Sequence, residues 1–235
     1  MGTKYKEVYM AIEKDILDGH YNETRKLNTE DVYIAQYNVS RNTVRNAIDL
    51  LIKRGHCFPI QGSGVFLRRK RPAFSFDLEN IYGLTNNVSP LPVTSEILKF
   101  SEVTASEEIA HKMDVAPGSP LYYVERMRYV DKKPYIYEYN YFNKALMPDF
   151  DVNTAEGSIF TYLSENRKLP VSFMDMVIQA VQINSDVAAK FQLIEGDPGL
   201  QIDGFTLVRT GEVIQFFKSI CHYENVRLLK LASYF

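Results

Sequence analysis

The first pattern along the chain is a stripe of apolar residues at helical spacing. It comprises Tyr5, Val8, Tyr9, Ile12 and Ile16. Because these positions share one face of an α-helix, the spacing predicts a helix that buries this face and ends near Gly19. The stretch NTEDVYIAQY then predicts a short helix with Thr29 as N-cap. Asn38 follows it, and this residue type tolerates the left-handed conformation of a tight turn.

A third helix is predicted in VSRNTVRNAIDLLIKRG, residues 39–55, with Ser40 as N-cap. Its apolar stripe consists of Val44, Ala47, Ile48 and Leu51. Its opposite face carries Arg41, Asn42, Arg45, Asn46 and Asp49. After Gly55, two short apolar runs flank Gly62-Ser63-Gly64, which predicts a hairpin. Helix, short helix, turn, helix and hairpin is the element order of a winged helix-turn-helix.

The second half of the chain changes to the alternating pattern of β-strands. LYYVERMRYV puts Tyr122, Val124, Arg126 and Arg128 on one face, and YIYEYNYF returns with Ile136, Glu138 and Asn140 on one face. A similar hairpin pattern surrounds Thr210-Gly211. TASEEIAHKMDVAPGSP also parallels INSDVAAKFQLIEGDP, with Ser106 aligned to Ser185. These repeats predict an internally duplicated α+β domain, with one antiparallel sheet and helices on one side.

Composition supports a two-domain globular protein. The 235 residues are 46% hydrophobic and 24% charged, and no apolar run approaches the roughly 20 residues of a membrane span. The first residues contain no signal-peptide pattern, and Cys57 and Cys221 form no CxxC motif, so we expect reduced thiols and a cytoplasmic protein. We predict a DNA-binding domain over residues 1–70, a basic linker over 71–80 with Lys70 and Arg71 near its start, and a second domain over 81–235.

The net charge of −2 conceals an uneven distribution. Residues 1–72 contain 13 Lys and Arg against 8 Asp and Glu, a net of +5, whereas the remainder has 14 against 21, a net of −7. A basic first domain favours a nucleic-acid partner, although a charge of this size also arises by chance. In a recognition helix, Arg pairs with guanine, Asn with adenine, and Ser or Thr with phosphate. The alternative is that the arginines form an ordinary solvated helix face.

Arg126 and Arg128 are unusual on a strand face that packs on a core. Two unpaired guanidinium groups are too costly to bury, so they require anions or water. The helix predicted to begin at Gly157-Ser158 would add a hydroxyl and a helix N-terminus, which together with the arginines could bind a phosphate or carboxylate. On an exposed sheet the same arginines could instead pair with Glu125 or Glu138, and spacing alone does not decide between these readings.

VSRNTVRNAIDLLIKRG followed by GSGVFL resembles the DNA-binding domain of GntR-type bacterial transcription regulators. The resemblance implies DNA contacts by Ser40, Arg41, Asn42, Thr43, Arg45, Gln61 and Gly62. Two positions depart from the family pattern. Asp31 stands where relatives often have a DNA-contacting arginine, and Ser63 stands where the wing often has a basic residue.

Residues 80–235 resemble the UTRA effector-binding domain of the HutC-type branch, whose fold is similar to that of chorismate lyase. VERMRYVDKKPYIYEYNYF matches the signature hairpin of that domain. The resemblance implies that Arg126, Arg128 and Ser158 bind the acidic group of a small effector, with Glu138 in or near the pocket. Gln215 and Cys221 stand where sugar-sensing relatives carry Glu and Tyr. The resemblance also places homodimerisation in this domain.

The sequence contains no HExxH, GxSxG, Walker A or strand-linked GxGxxG motif, and its four histidines are scattered. We therefore expect no metal, no cofactor and no catalysis. The expected partners are double-stranded operator DNA and a small anionic effector, without a membrane. The predicted function is that of an effector-controlled transcription regulator, acting as a repressor. An enzyme acting on a small carboxylate and a winged-helix protein-interaction module are the alternatives.

Overall fold

The computed structural model describes residues 4–68, 75–78, 83–88, 91–163, 169 and 171–230. Described residues up to Arg68 form one compact unit, and those from Ser75 to Lys230 form a second. Lys70 and Arg71 lie outside the described residues, as does most of the linker predicted over 71–80. Within that predicted linker, a short strand is described at Ser75–Asp77.

The first unit contains three helices and a hairpin, in the order that the sequence predicts. They are α1 (Lys4–Leu17), α2 (Glu30–Tyr37), α3 (Arg41–Lys53), β1 (Cys57–Ile60) and β2 (Gly64–Leu67). The stripe on α1 is buried through Val8, Tyr9 and Ile12, and the four apolar residues predicted on α3 are buried against it. Asn38 has a φ of 49° and ends α2 in the left-handed conformation, which confirms the predicted turn.

The two helix starts in the helix-turn-helix differ from each other. Ser40 caps α3 as predicted, because its hydroxyl accepts a hydrogen bond from the Thr43 backbone nitrogen at 3.3 Å. Thr29 occupies the N-cap position of α2 as predicted, but its side chain makes no capping hydrogen bond. The acids of the first turn, Glu30 and Asp31, instead supply negative charge beside the positive end of this helix.

The second unit is built on a six-stranded antiparallel sheet. Its elements are β3 (Ser75–Asp77), α4 (Gly83–Asn87), β4 (Val93–Thr104), α5 (Glu107–Met113), β5 (Pro120–Val130), β6 (Lys133–Asn143), α6 (Val152–Glu156), α7 (Ile159–Thr161), β7 (Val171–Gln182), α8 (Ser185–Phe191), β8 (Pro198–Val208), β9 (Val213–His222) and β10 (Arg227–Leu229). The strand order of the sheet is β4-β5-β6-β9-β8-β7, and β3 and β10 form a separate parallel pair.

The sheet consists of two copies of one strand–helix–hairpin pattern, which confirms the predicted duplication. The alignment of the copies is wrong by one residue, however. Ser106 caps α5 and Asn184 caps α8, and each helix ends in a left-handed residue, Asp114 and Gln192 respectively. Ser106 therefore corresponds to Asn184 rather than to Ser185. Both Asn184 and Ser185 are good capping residues, so composition did not distinguish them.

Helices cover both faces of the sheet, not one face as predicted. On one face, α5 and α8 pack through Met113 and Phe191 against strand residues such as Leu121 and Met127. The other face is covered in part by the short helices α6 and α7, whose buried residues pack with Tyr122, Val124 and Phe142. This second face carries the polar side chains of β5 and β6 that are described below.

Candidate DNA interface and effector site

The predicted DNA-contacting residues of α3 lie at its N-terminal end and face outward. The side chains of Arg41 and Arg45 are 52% and 60% exposed, and Asn42 is also exposed. The hydroxyls of Ser40 and Thr43 lie 2.9 Å apart. Leading side chains on such a helix are the ones that enter the major groove of DNA.

Both arginines are paired with acids in the first turn of α2. Arg41 donates to an Asp31 oxygen at 2.6 Å and to a Glu30 oxygen at 3.2 Å, and Arg45 Nε donates to the other Glu30 oxygen at 2.9 Å. The hydrogen bond from Arg45 is the largest cause that holds the pKa of Glu30 below its ordinary value. Glu30 raises the pKa of Arg41 in turn, and Asp31 adds to this.

These ion pairs are exposed, so phosphate or base oxygens can replace the carboxylates at small cost. Exposed pairs typically contribute only about 0–1 kcal/mol. In the sequence, Asp31 is notable only because it stands where relatives often have a DNA-contacting arginine. The structure places it against Arg41, a partner that helical periodicity does not reveal because it belongs to another element.

The wing hairpin presents a tip of small and polar residues. Ile60 is paired with Gly64 across the hairpin, and Ser63 N donates to Ile60 O at 3.0 Å. Gln61 and Gly62 are exposed at this tip. Gly62 has a φ of 75°, and a Cβ atom there would meet no other heavy atom within 4 Å. Glycine thus permits the turn, and the tip is open to a DNA backbone.

In the second unit, strand register brings Arg126, Arg128 and Glu138 together on one face of the sheet. Arg126 is paired with Glu138 across β5 and β6, and Arg128 is its neighbour two residues along the same face. The two arginines are only 4% and 6% exposed. The alternation of the sequence therefore predicted the shared face correctly, but the face is buried.

Arg126 donates hydrogen bonds to three groups of the protein. Its Nε donates to Glu138, and its Nη1 donates to the backbone oxygens of Ala155 at 2.5 Å and Gly157 at 3.4 Å. Burial alone would raise the pKa of Glu138, but the charges of Arg126 and Arg128 outweigh it, so the pKa is lowered. The hydrogen bonds of Arg126 therefore connect β5 to the α6–α7 segment, which covers this face.

Arg128 is less completely paired. Its Nη1 lies 3.7 Å from Glu138 and its Nη2 donates to Thr85 Oγ1 at 3.3 Å. Its Nε is buried without a hydrogen-bond partner among the described residues. Burial, followed by the charge of Arg126, lowers the pKa of Arg128 to about 10, so the group remains cationic near neutral pH. A buried cation with an unused donor is suited to bind an anion.

A chain of buried amide and hydroxyl groups continues across the same face. Thr206 Oγ1 donates to Gln215 at 3.0 Å, and Gln215 Nε2 donates to Asn140 Oδ1 at 2.7 Å. Asn140 Nδ2 is buried without a partner among the described residues. Because Asn140 follows Glu138 on the same strand face, these groups extend the polar surface away from the arginines.

Ser158 caps α7, so a helix begins at this residue as predicted, and the described residues remain helical to Leu163. Ser158 Oγ accepts hydrogen bonds from Thr161 N and Thr161 Oγ1. Its own proton remains available to donate. Ser158 directly follows Gly157, whose carbonyl oxygen accepts from Arg126.

The second copy of the duplicated pattern lacks this cluster of charges. Gly204 is paired with Phe217 across β8 and β9, in the place where the first copy pairs Arg126 with Glu138. A Cβ at Gly204 would lie 2.2 Å from Asp175 O and 2.8 Å from Phe217 Cζ, so a side chain would not fit there. The buried arginines and their carboxylate therefore lie in the first copy of the pattern, and the matching pair in the second copy is uncharged.

Other kinds of site find no support in the described residues. No group of three or more His, Cys, Asp and Glu residues within them is arranged to hold a metal ion. None of the described helices combines the length and apolarity required to cross a membrane. Cys221 is fully buried, and its burial raises the pKa of its thiol.

A winged helix-turn-helix followed along the chain by an α+β unit is the architecture of a DNA-binding transcription regulator. Residues 4–67 match the model of bacterial regulatory proteins of the gntR family, and residues 90–227 match the UTRA domain. The chain belongs to the GntR family of transcription regulators, in the HutC-type branch that carries a UTRA domain, and it is not an enzyme.

Full-length relatives agree with this assignment. The chain is 26% identical to the HTH-type transcriptional regulator YydK of Bacillus subtilis, over 99% of this chain and 98% of the relative. The YydK crystal structure matches with a TM-score of 0.84, covering 98% and 99% of the two chains. The repressor MngR of the mannosyl-D-glycerate transport and metabolism system of Escherichia coli is 23% identical, over 99% of this chain and 98% of MngR.

Proposed function

We propose that this regulator binds a small anionic effector on the polar face of the second unit, and that the effector changes operator binding by the first unit. The observation that carries the proposal is the buried cluster of Arg126, Arg128 and Glu138. Two guanidinium groups and one carboxylate leave one positive charge uncompensated inside the cluster. An anionic ligand group would neutralise it.

Within this site, Arg128 is the principal anion ligand. Arg126 donates to Glu138 and to two backbone carbonyls, whereas Arg128 has an Nε donor without a partner among the described residues and a longer contact to the carboxylate. Ser158 contributes a hydroxyl proton. Gln215 and Asn140 would contact the uncharged part of the ligand, because their amides lie further along the same face.

The effector class is a phosphorylated sugar or an organic acid. A phosphate or carboxylate satisfies the arginines, and hydroxyl groups satisfy the amides beyond them. MngR is the repressor of a system for mannosyl-D-glycerate, a sugar joined to an organic acid. That compound combines the two kinds of group that this polar face would hold.

The proposed DNA contacts come from the exposed N-terminal end of α3 and from the wing. Arg45 and Asn42 would read base edges, whereas Ser40, Arg41 and Thr43 would hold phosphates, with Gln61 and Gly62 approaching the backbone at the wing. The wing residues are an extension of the same surface. Two such units in a homodimer would match a two-fold operator in the cytoplasm, and effector binding would shift the population of dimers that fits it.

A thermal-shift screen against phosphorylated sugars and small organic acids tests the effector site. We expect at least one compound to raise the melting temperature of the wild type and to alter its binding to DNA that the protein itself selects from a random pool. Arg128→Gln should abolish the response to that compound. Arg209→Gln, which changes an exposed arginine of the same unit, should retain it. An Arg128→Gln variant that responds normally would refute the proposed site.

A further inference from the structure

The wing of this protein contains no charged residue. Its hairpin, residues 57–67, reads CFPIQGSGVFL. A third segment is joined to it, however: Lys26 forms an antiparallel bridge with Phe66, and Leu27 N donates to Val65 O at 2.8 Å. The residues before α2 therefore extend the wing sheet at its β2 edge, and they bring a lysine side chain to it.

The side chain of Lys26 runs along the wing toward its tip. Its Nζ lies 5.6 Å from the centre of the Phe66 ring, a distance typical of a cation–π contact. A Cβ atom at Gly64 would lie 2.9 Å from Lys26 Cε and 3.6 Å from Lys26 Nζ. The absence of a side chain at Gly64 thus leaves the space that the lysine occupies beside the hairpin turn.

The ammonium group of Lys26 is free of salt bridges to the part of the chain that the structure describes. Among the described residues, no acidic side chain forms a salt bridge with it, and the residue is exposed. Arg41 and Arg45 differ in this respect, because each is already paired with an acid of α2. A DNA phosphate near the wing would therefore gain the full attraction of the Lys26 charge without displacing a carboxylate.

We propose that Lys26 is the phosphate-contacting cation of the wing, supplied by the segment before α2 rather than by the hairpin. The inference rests on DNA binding by this unit. Phe66 and Gly64 position the charge, and Gln61 and Gly62 allow the backbone of DNA to approach it. A phosphate contact carries no base specificity, so Lys26 contributes to affinity for any sequence.

The test measures binding to a random-sequence duplex between about 50 and 200 mM salt, where each phosphate contact contributes about 0.9 to the slope of log K against log salt. We expect Lys26→Gln to reduce the magnitude of this slope by about 0.9 for each bound chain. Lys26→Arg should keep the wild-type slope. Lys14→Gln removes the same charge from an exposed position on α1 that is paired with Asp18, and it should also keep the slope.

The outcomes separate this inference from the DNA-binding function itself. If the wild type binds with a steep salt dependence and Lys26→Gln has the same slope, Lys26 makes no phosphate contact and the inference is wrong. The same conclusion follows if Lys26→Gln lowers only the melting temperature, since the side chain would then serve packing on Phe66. A wild type that does not bind the duplex would refute DNA binding by the unit, and this inference with it.

Discussion

The molecule contains two arginine pairs that differ in almost every physical respect. Arg41 and Arg45 are four residues apart on a helix and more than half exposed, with exposed or partly exposed acids as partners. Arg126 and Arg128 are two residues apart on β5, an interior strand, and almost completely buried, with one shared carboxylate.

The difference in burial determines what each pair can do. Water screens the exposed pairs, so their acids can be exchanged for DNA oxygens with little change in free energy. The buried pair has lost its hydration, and each donor without a protein partner is costly. Exposed arginines are therefore suited to a partner that binds reversibly. The buried arginines are suited to a ligand whose binding is coupled to the packing around it.

The largest expected effect is the loss of stability in Arg126→Ala. Removing this guanidinium leaves Glu138 buried with only the longer contact to Arg128, and leaves two backbone carbonyls without their donor. We expect a cost of about 3–5 kcal/mol in the free energy of unfolding, measured by denaturant titration. Arg41→Ala is the matched control and should leave the unfolding midpoint nearly unchanged. Equal midpoints for the two variants would remove the distinction between the pairs.

The buried pair should also produce a pH dependence of stability. The pKa of Glu138 lies below its ordinary value of 4.5, so its carboxylate stabilises the fold above that pH. This contribution is lost as the pH falls from 4.5 through the lowered pKa of Glu138. Glu138→Gln should therefore be less stable than the wild type at neutral pH, and the gap should narrow in acid. A gap that is constant with pH would show that the pKa of Glu138 does not differ between the folded and unfolded chain.

The sequence predicted the faces of both arginine pairs and offered Glu138 as one of two possible partners for the buried pair, but it did not predict the other partners. Alternation on β5 and β6 placed Arg126 and Glu138 correctly, because a strand has a period of two and the hairpin fixes the register. The contacts from Arg126 to Ala155 and from Arg128 to Thr85 join residues 29 and 43 positions apart. Such contacts leave no periodic signal along the chain, so burial of the pair could not be predicted.

The same limit explains the missed elements of the fold. Edge strands β4 and β7 alternate between partly buried and exposed residues, and this pattern is too weak in the sequence to predict a strand. Phe173 and Val177 of β7 are 60% and 66% exposed, so apolar residues on this strand do not indicate which of its faces is buried. The position of Lys26 beside the wing could not be predicted for a related reason. Its bridge to Phe66 connects segments 40 residues apart.

The next effect in size is the loss of operator affinity in Arg45→Ala. If Arg45 leaves Glu30 to read a base, truncation should weaken binding by about 1–3 kcal/mol and relax specificity at one position of the site. DNA selected by the wild type from a random pool provides the probe, and titration by fluorescence anisotropy provides the measurement. Asp49→Ala, on the same exposed face but further from the leading end of α3, is the control. Unchanged affinity in Arg45→Ala would exclude this side chain from the interface.

The smallest expected effect is a gain of affinity in Asp31→Asn. Asp31 binds Arg41 at 2.6 Å on the surface that we propose for DNA, so its charge both repels phosphates and occupies the arginine. Removing the charge should strengthen binding by about two- to fivefold, the range of an exposed ion pair. The gain should be similar for selected and random duplexes, because phosphate contacts are not base-specific. Weaker binding by Asp31→Asn to the selected DNA alone would instead mean that Asp31 orients Arg41 for the operator. The exposed arginines would then be as dependent on fixed partners as the buried pair.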